Sequence, residues 1–385
     1  MKIQTLNKIA KIGLDGFDGK YEICDTCDAP DGILVRSASL HDMELPTSLL
    51  AVARAGAGVN NIPLDTCAEK GIVVFNTPGA NANAVKELAI TALLLSSRDV
   101  IGGVEWAKTL TGDDVAKQVE KGKSQFVGPE IRGKKLGVIG LGAIGVLVAN
   151  AAQHLGMKVV GYDPYISLQS AWNLNHHVEK AANIDEIYAN CDYICLHAPL
   201  TAETKHSINK DTIATMKDGV RILNLSRADL VNDEDIAEAL ESGKVAKYVT
   251  DFPNAKTLTM KNAIPIPHLG ASTPESEDNC AVMAVNEIRE YLEEGNITNS
   301  VNYPAVSTPF ASALRICICH RNVPNMISTF STIVSAVGVN IENMINKSKG
   351  DYAYTIIDCS ENVADRVVDT LSAVDGVLRV RAIVK

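Results

Sequence analysis

The stretch Leu136–Pro164, LGVIGLGAIGVLVANAAQHLGMKVVGYDP, constrains the fold of this chain more than any other. Leu136–Ile139 is an apolar run of strand length, and Gly140-Leu141-Gly142-Ala143-Ile144-Gly145 follows it at G-x-G-x-x-G spacing. A helical run then continues through Leu155, and Lys158–Tyr162 predicts a second strand. Each glycine has its own task in such a unit. Gly140 makes the turn, Gly142 lets a pyrophosphate approach the backbone, and Gly145 lets helix pack on strand. The amides at the helix start, Ala143 and Ile144 among them, then face the phosphates. Asp163 closes the second strand, 18 residues after Gly145. A carboxylate there accepts both ribose hydroxyls and repels a 2′-phosphate, which favours NAD over NADP. The glycine spacing alone also fits a turn that binds nothing. The acid at the end of a full strand–helix–strand unit is what points to the ligand.

Length and composition agree with this reading. A chain of 385 residues predicts two or three domains, each with ample core. No apolar run is long enough to span a bilayer and the N-terminus lacks signal character, so a cytoplasmic protein without a membrane partner is expected. Lys+Arg 36 against Asp+Glu 46 gives a net charge of −10, which argues against nucleic acid or anionic membranes as partners. The nine cysteines are odd in number and scattered, and without an export signal they read as reduced thiols. Cys24-x-x-Cys27 invites a zinc or redox reading, but zinc needs two further ligands at suitable spacing. No metal is expected.

Along the chain, residues 1–97 alternate short apolar strands with helical runs. Gly32–Val35 ends on Arg36-Ser37, Ser48–Ala53 leads into Arg54-Ala55-Gly56-Ala57-Gly58-Val59-Asn60, and Ile72–Phe75 precedes a helix over Val85–Leu95. This alternation implies a parallel sheet, and ligands meet such sheets at the carboxyl ends of the strands. The loop at Ala57, Gly58 and Val59 can offer backbone amides to a carboxylate. It equally fits a plain turn, and Arg36 equally fits a strand-end arginine in solvent. Ser96–Pro129 is more polar and reads as mostly helical. Beyond Asp163, strands over Tyr193–Leu196, Arg221–Leu225, Tyr248–Thr250 and Ala263–Ile266 end near His197, Arg227, Asp251 and His268.

That edge suits hydride chemistry. Oxidising a secondary alcohol requires a base for the hydroxyl proton, and histidine titrates in the right range. An acid substrate requires a cation for its carboxylate, and arginine supplies a planar two-pronged donor. His268 is the candidate base and Arg227 the candidate clamp. Singly, each has a structural reading: a loop histidine after proline, a surface arginine after serine. Their joint placement in one sheet carries the functional reading.

GLGAIG with Asp163, HAPLTAET (197–204), NLSR (224–227) and PHLGAST (267–273) together resemble the D-isomer-specific 2-hydroxyacid dehydrogenases over nearly the whole chain. The resemblance implies a Rossmann-type NAD-binding domain (98–283) inserted into a flavodoxin-like α/β substrate domain (1–97 and 284–303). It adds His197, Ala198, Pro199, Leu225, Ser226, Asp251, Gly270 and Ala271 to the cofactor set. VRSAS (35–39) looks like a phosphate-side Arg36-Ser37 pair and RAGAGVNNI (54–62) like a carboxylate loop. Oxidation of 3-phosphoglycerate to 3-phosphohydroxypyruvate, the first step toward L-serine, is therefore expected of a homodimer or homotetramer. The alternatives are a hydroxypyruvate, glyoxylate or other D-2-hydroxyacid reductase, or a non-catalytic NAD and amino-acid sensor. The sensor is raised by one departure: Lys256 stands where the family has a glutamate supporting its histidine. Three readings stay open: His268 works alone or with another acid, Lys256 itself handles the proton, or the enzyme is weakened.

Residues 304–311 read as a linker and 312–385 as a separate βαββαβ unit, with strands over Leu314–Cys319, Val339–Met344, Asp351–Cys359 and Val377–Val384. HRNVPNM (320–326) and GVNIENM (338–344) resemble a ferredoxin-like ACT domain, a sensor of small amino acids. The resemblance implies L-serine as effector on His320, Asn322 and Asn340. Asn325 replaces the glycine usual after Pro324, and its side chain intrudes where glycine leaves room.

Overall fold

The computed structural model describes all 385 residues. A five-stranded sheet takes β1 (Lys2–Leu6), β2 (Glu22–Cys24), β3 (Gly32–Val35), β4 (Ala51–Arg54) and β5 (Val73–Phe75) in the order β2-β1-β3-β4-β5, all parallel. The second sheet takes β6 (Lys135–Ile139), β7 (Lys158–Tyr162), β8 (Glu179–Lys180), β9 (Tyr193–Leu196), β10 (Val220–Asn224), β11 (Val245–Thr250) and β12 (Ala263–Pro265). Its order is β12-β11-β10-β9-β6-β7-β8, again parallel throughout. The third is antiparallel: β13 (Leu314–Arg321), β14 (Ile341–Lys349), β15 (Tyr352–Cys359) and β16 (Val377–Val384), in the order β14-β15-β13-β16. Parallel strands covered on both faces read as continuous apolar runs. GILV of β3 and YICL of β9 are accordingly buried at every residue.

The chain forms two compact units, Met1–Asn81 with Pro274–Lys385, and Ala82–Thr273. In the first, the Pro274–Glu294 helix lays Ala281, Ala284, Val285 and Ile288 against Ile3, Leu34, Ala51 and Ala53 of the parallel sheet. The antiparallel sheet belongs to the same unit. Because side chains alternate along a strand, Leu314, Ile316 and Ile318 pack with Phe330 and Val367 of its two covering helices. Cys317 and Cys319 face the other way and join the core of Tyr291, Tyr303 and Phe75. In the second unit, the Ala82–Ser97 and Ala143–His154 helices bury Ala89, Ala92, Val148 and Ala149 with Val138 of β6. The polar stretch after Ser97 contains helices at Val100–Ala107 and Val115–Gly122.

Two expectations change. β14 runs five residues past Met344 to Lys349, because its ladder with β15 continues through Asn346↔Thr355 to Lys349↔Tyr352. This is an edge strand, and its polar NKSK tail carries no apolar alternation to reveal it. Nor are all nine thiols free. Cys24 and Cys27 form a disulfide across Cα atoms 6.1 Å apart, inside the span a bridge can close. The other seven are free and buried.

Arg315 lies on the inner face of β13 and is fully buried. Its Nε and Nη2 donate to the two Asp358 oxygens at 2.7 and 2.9 Å. Nη1 donates to the Glu294 and Thr308 carbonyls, and Nη2 to that of Pro309. The segment entering the antiparallel sheet is thus tied down by one guanidinium. Arg315→Leu removes the guanidinium partner of the buried Asp358, so it should lower unfolding stability by about 3–5 kcal/mol. A urea midpoint equal to wild type would contradict this.

Candidate active site

In the second unit, the turn after β6 is shaped by what its glycines lack. Gly140 has φ 92°, and a Cβ there would press on the His197 carbonyl at 2.6 Å. A Cβ on Gly145 would overlap the Gly140 carbonyl oxygen, whereas one on Gly142 would meet nothing within 4 Å. Gly142 is also the N-cap of the Ala143–His154 helix, and no side chain caps that end. The first-turn amides of Ala143 and Ile144 stay uncapped by any side chain, and the space beside Gly142 is open. Asp163 is fixed opposite, accepting from the Leu141 amide through Oδ2 and the Tyr165 amide through Oδ1, both at 2.8 Å. The residues present fit a dinucleotide.

The same sheet edge brings together the sequence-expected groups of this unit. The His197 amide donates to Ile139, and its ring Nε2 lies 3.0 Å from Cys195 Sγ. Burial pushes His197 down to about 4 and the Cys195 thiol up to about 12, so the pair is neutral at neutral pH. Ser226 Oγ donates to the Ala198 carbonyl, joining the loops after β9 and β10, next to Pro199 and Leu225. Asn224, fully buried, donates through Nδ2 to the Arg227 carbonyl, while Arg227 itself is exposed with Nη1 on the Ser226 carbonyl.

His268 is exposed, its ring edge-on to Phe252 at 5.1 Å. Asp251, at the end of β11, is 1% exposed, and its Oδ1 has no hydrogen-bond partner. Burial raises its pKa above the usual carboxylate range, against the pull of His268 and Arg227. A Cβ on Gly270, which Ala271 follows, would lie 3.8 Å from Asp251 Oδ2 and 3.2 Å from Val85. Lys256 is elsewhere engaged, with its ammonium on Glu234 of the Asp233–Ser242 helix.

In the first unit, Arg36 and Ser37 follow β3, and Ala57, Gly58 and Val59 follow β4. Sequence reasoning missed the residues that fix both corners. Asn7, at φ 77° after β1, accepts from the Ser37 and Ala38 amides at 3.0 and 2.7 Å. Arg54 donates from Nε to the Arg36 carbonyl at 2.9 Å and from Nη1 to the Gly58 carbonyl. Asn76 donates to the Ala57 carbonyl at 2.6 Å. One signal was legible: Asn7, Arg54 and Asn76 are polar residues at strand ends of the sheet that carries Arg36.

The antiparallel sheet has a cavity of about 450 Å³ lined by His320, Asn322, Asn325, Ser328 and Asn346. His320 Nε2 lies 3.1 Å from Asn346 Oδ1 and 2.9 Å from Thr355 Oγ1, and burial lowers its pKa. Asn340 precedes the other end of β14 and does not line this cavity; Asn346, in the polar extension of that strand, does. Asn325 sits at φ 68°, the left-handed conformation that asparagine tolerates.

Residues 103–270 match the family model described as D-isomer specific 2-hydroxyacid dehydrogenase, NAD binding domain. The chain is 31% identical to the D-3-phosphoglycerate dehydrogenase of Escherichia coli over 348 residues, covering 86% of this chain and 81% of that protein. It is 31% identical to the same-named protein of Synechocystis over 364 residues, covering 91% of this chain but only 62% of that longer relative. Among solved structures, the NAD+-bound 3-phosphoglycerate dehydrogenase of Entamoeba histolytica is similar at 26% identity and a TM-score of 0.57, covering 78% of this chain and 98% of that one.

The glycine geometry yields a contrast between two variants. Gly142→Ala should leave the thermal midpoint unchanged while weakening NADH binding by at least about tenfold, since its methyl fills only the phosphate's space. Gly145→Ala should instead lower the thermal midpoint. Equal effects of the two on stability would contradict the separate tasks.

Proposed function

The chain belongs to the D-isomer-specific 2-hydroxyacid dehydrogenase family, and from that premise we propose that it oxidises 3-phosphoglycerate to 3-phosphohydroxypyruvate with NAD, the first step toward L-serine. The observation that carries this reading is Arg227 and His268 at one edge of the dinucleotide sheet, both felt by the buried Asp251. The glycine turn would hold NAD+, which would supply the hydride acceptor for alcohol oxidation and, as NADH, the hydride donor for the reverse reaction. Arg227 clamps the substrate carboxylate and the oxygen that becomes a carbonyl. His268 takes the hydroxyl proton. Asp251 is a buried carboxyl group within the electrostatic reach of both His268 and Arg227. A carboxyl group so placed can take the part of the family's glutamate, which favours His268 working with another acid while Lys256 stays paired to Glu234.

In this reading Arg36 and Ser37 bind the phosphate end, and the amides of Ala57, Gly58 and Val59 take the carboxylate side. The cavity at His320, Asn322 and Asn346 suits a small zwitterion such as L-serine. The ring there lies against uncharged partners, Asn346 and Thr355, and burial lowers its pKa. β14 lies at a sheet edge, so a second copy can pair there and bring its own Asn340 toward the effector. A homodimer or homotetramer in the cytoplasm completes the proposal. No helix is long and apolar enough to cross a membrane.

Arg227→Ala should lower kcat/KM for 3-phosphohydroxypyruvate reduction by about two to four orders of magnitude, the scale of removing a preorganised charge from a transition state. NADH binding should persist. Arg36→Ala should sharply raise KM for the phosphorylated acid and leave that for hydroxypyruvate near wild type. Full activity in Arg227→Ala would remove the mechanism, and an unchanged KM in Arg36→Ala would favour a reductase of unphosphorylated acids. L-Serine should change the rate of wild type and not that of His320→Ala. An equal response in both would detach the cavity from regulation.

A further inference from the structure

The corner after β3 has little donor capacity to spare. The Ser37 and Ala38 amides already donate to Asn7, and the Arg36 carbonyl already accepts from Arg54. The Arg36 guanidinium is taken as well: its Nη2 lies 2.7 Å from Glu277 Oε1. Glu277 is in the first turn of the Pro274–Glu294 helix, where the helix dipole favours a carboxylate. The same helix is seated on the sheet by Ala281, Ala284 and Ile288, so the core delivers Glu277 to Arg36. Asp278 follows on this helix, and Arg54 faces Arg36 from β4, lowered in pKa by its burial and by the like charge of Arg36.

We propose that Glu277 is a specificity-determining residue: its carboxylate occupies Arg36 in the free protein and competes with the phosphate end of the substrate. This rests on the reading of Arg36 as the phosphate contact. The pair is 41% and 44% exposed, so solvent screens it and an incoming anion can exchange with it. The repulsion does not vanish on exchange. A phosphate monoester carries nearly two negative charges at neutral pH, and a carboxylate on a seated helix cannot retreat far from it. An unphosphorylated acid brings no charge to this corner and meets no such opposition. Glu277 therefore weakens phosphorylated ligands selectively. The alternative role, orienting Arg36 toward the phosphate, predicts the opposite sign.

The test is steady-state reduction of 3-phosphohydroxypyruvate and of hydroxypyruvate by wild type, Glu277→Gln, Arg36→Ala and the double variant. Glutamine keeps the size and an acceptor oxygen but loses the charge. Glu277→Gln should lower KM for the phosphorylated acid by about three- to tenfold, the scale of one screened charge pair. It should leave KM for hydroxypyruvate unchanged, and its effect should shrink in the Arg36→Ala background, where the competition for the guanidinium is gone and only the direct repulsion is left. If Arg36→Ala raises KM for the phosphorylated acid but Glu277→Gln leaves it equal or raises it, the competition is wrong and the phosphate reading stands. If Arg36→Ala changes nothing, the phosphate reading falls and this inference with it.

Discussion

The Ala143–His154 helix starts so close to the end of β6 that a methyl group on Gly145 would overlap the Gly140 carbonyl oxygen. Everything at the cofactor edge depends on that approach. The helix's first amides are uncapped beside the open space at Gly142, and the Gly140 turn lies against the His197 backbone. His197, Ser226 and Arg227 follow the strands on one side of β6, with Ser226 bonded across to the Ala198 carbonyl, while Asp163 ends the strand on the other. A parallel sheet gathers strand ends at one edge, so a few side chains far apart in sequence act together.

Charge is handled differently in the two units. In the dinucleotide unit, a nearly inaccessible acid, Asp251, lies within electrostatic reach of two side chains that remain exposed, Arg227 and His268. A buried acid beside exposed basic side chains leaves that edge polar and open. In the first unit the cation is already answered, by Glu277 on Arg36, and the backbone donors beside it are answered by Asn7. A ligand arriving there must exchange for internal partners, so its affinity is a difference between two similar interactions. Such a difference is easily tuned by one residue.

Much of this was legible in the sequence. Glycine spacing and the acid after β7 have few physical solutions, and apolar runs followed by polar singletons mark strand ends in a parallel sheet. What escaped shares one cause: polar residues whose partners are remote in sequence. Glu277 pairs with a residue 241 positions earlier. Asn7 and Arg54 cap loops of neighbouring strands. Asn346 lies in an edge-strand tail, where pairing to β15 continues without apolar alternation. The Cys24–Cys27 disulfide needed the local path of the chain, which spacing alone does not give. The missing glutamate was visible as Lys256, but its ion pair with Glu234 and the exposure of Asp251 to the charges of His268 and Arg227 were not.

The central claim is that this edge carries out hydride transfer on a phosphorylated 2-hydroxy acid. Its most direct test follows the NADH absorbance band of the wild-type protein with 3-phosphohydroxypyruvate, hydroxypyruvate and glyoxylate in parallel. The account predicts turnover of all or most of these, with the highest kcat/KM for the phosphorylated acid. NADH binding without turnover of any of them would contradict it, and would recast the chain as a sensor built on a dehydrogenase scaffold.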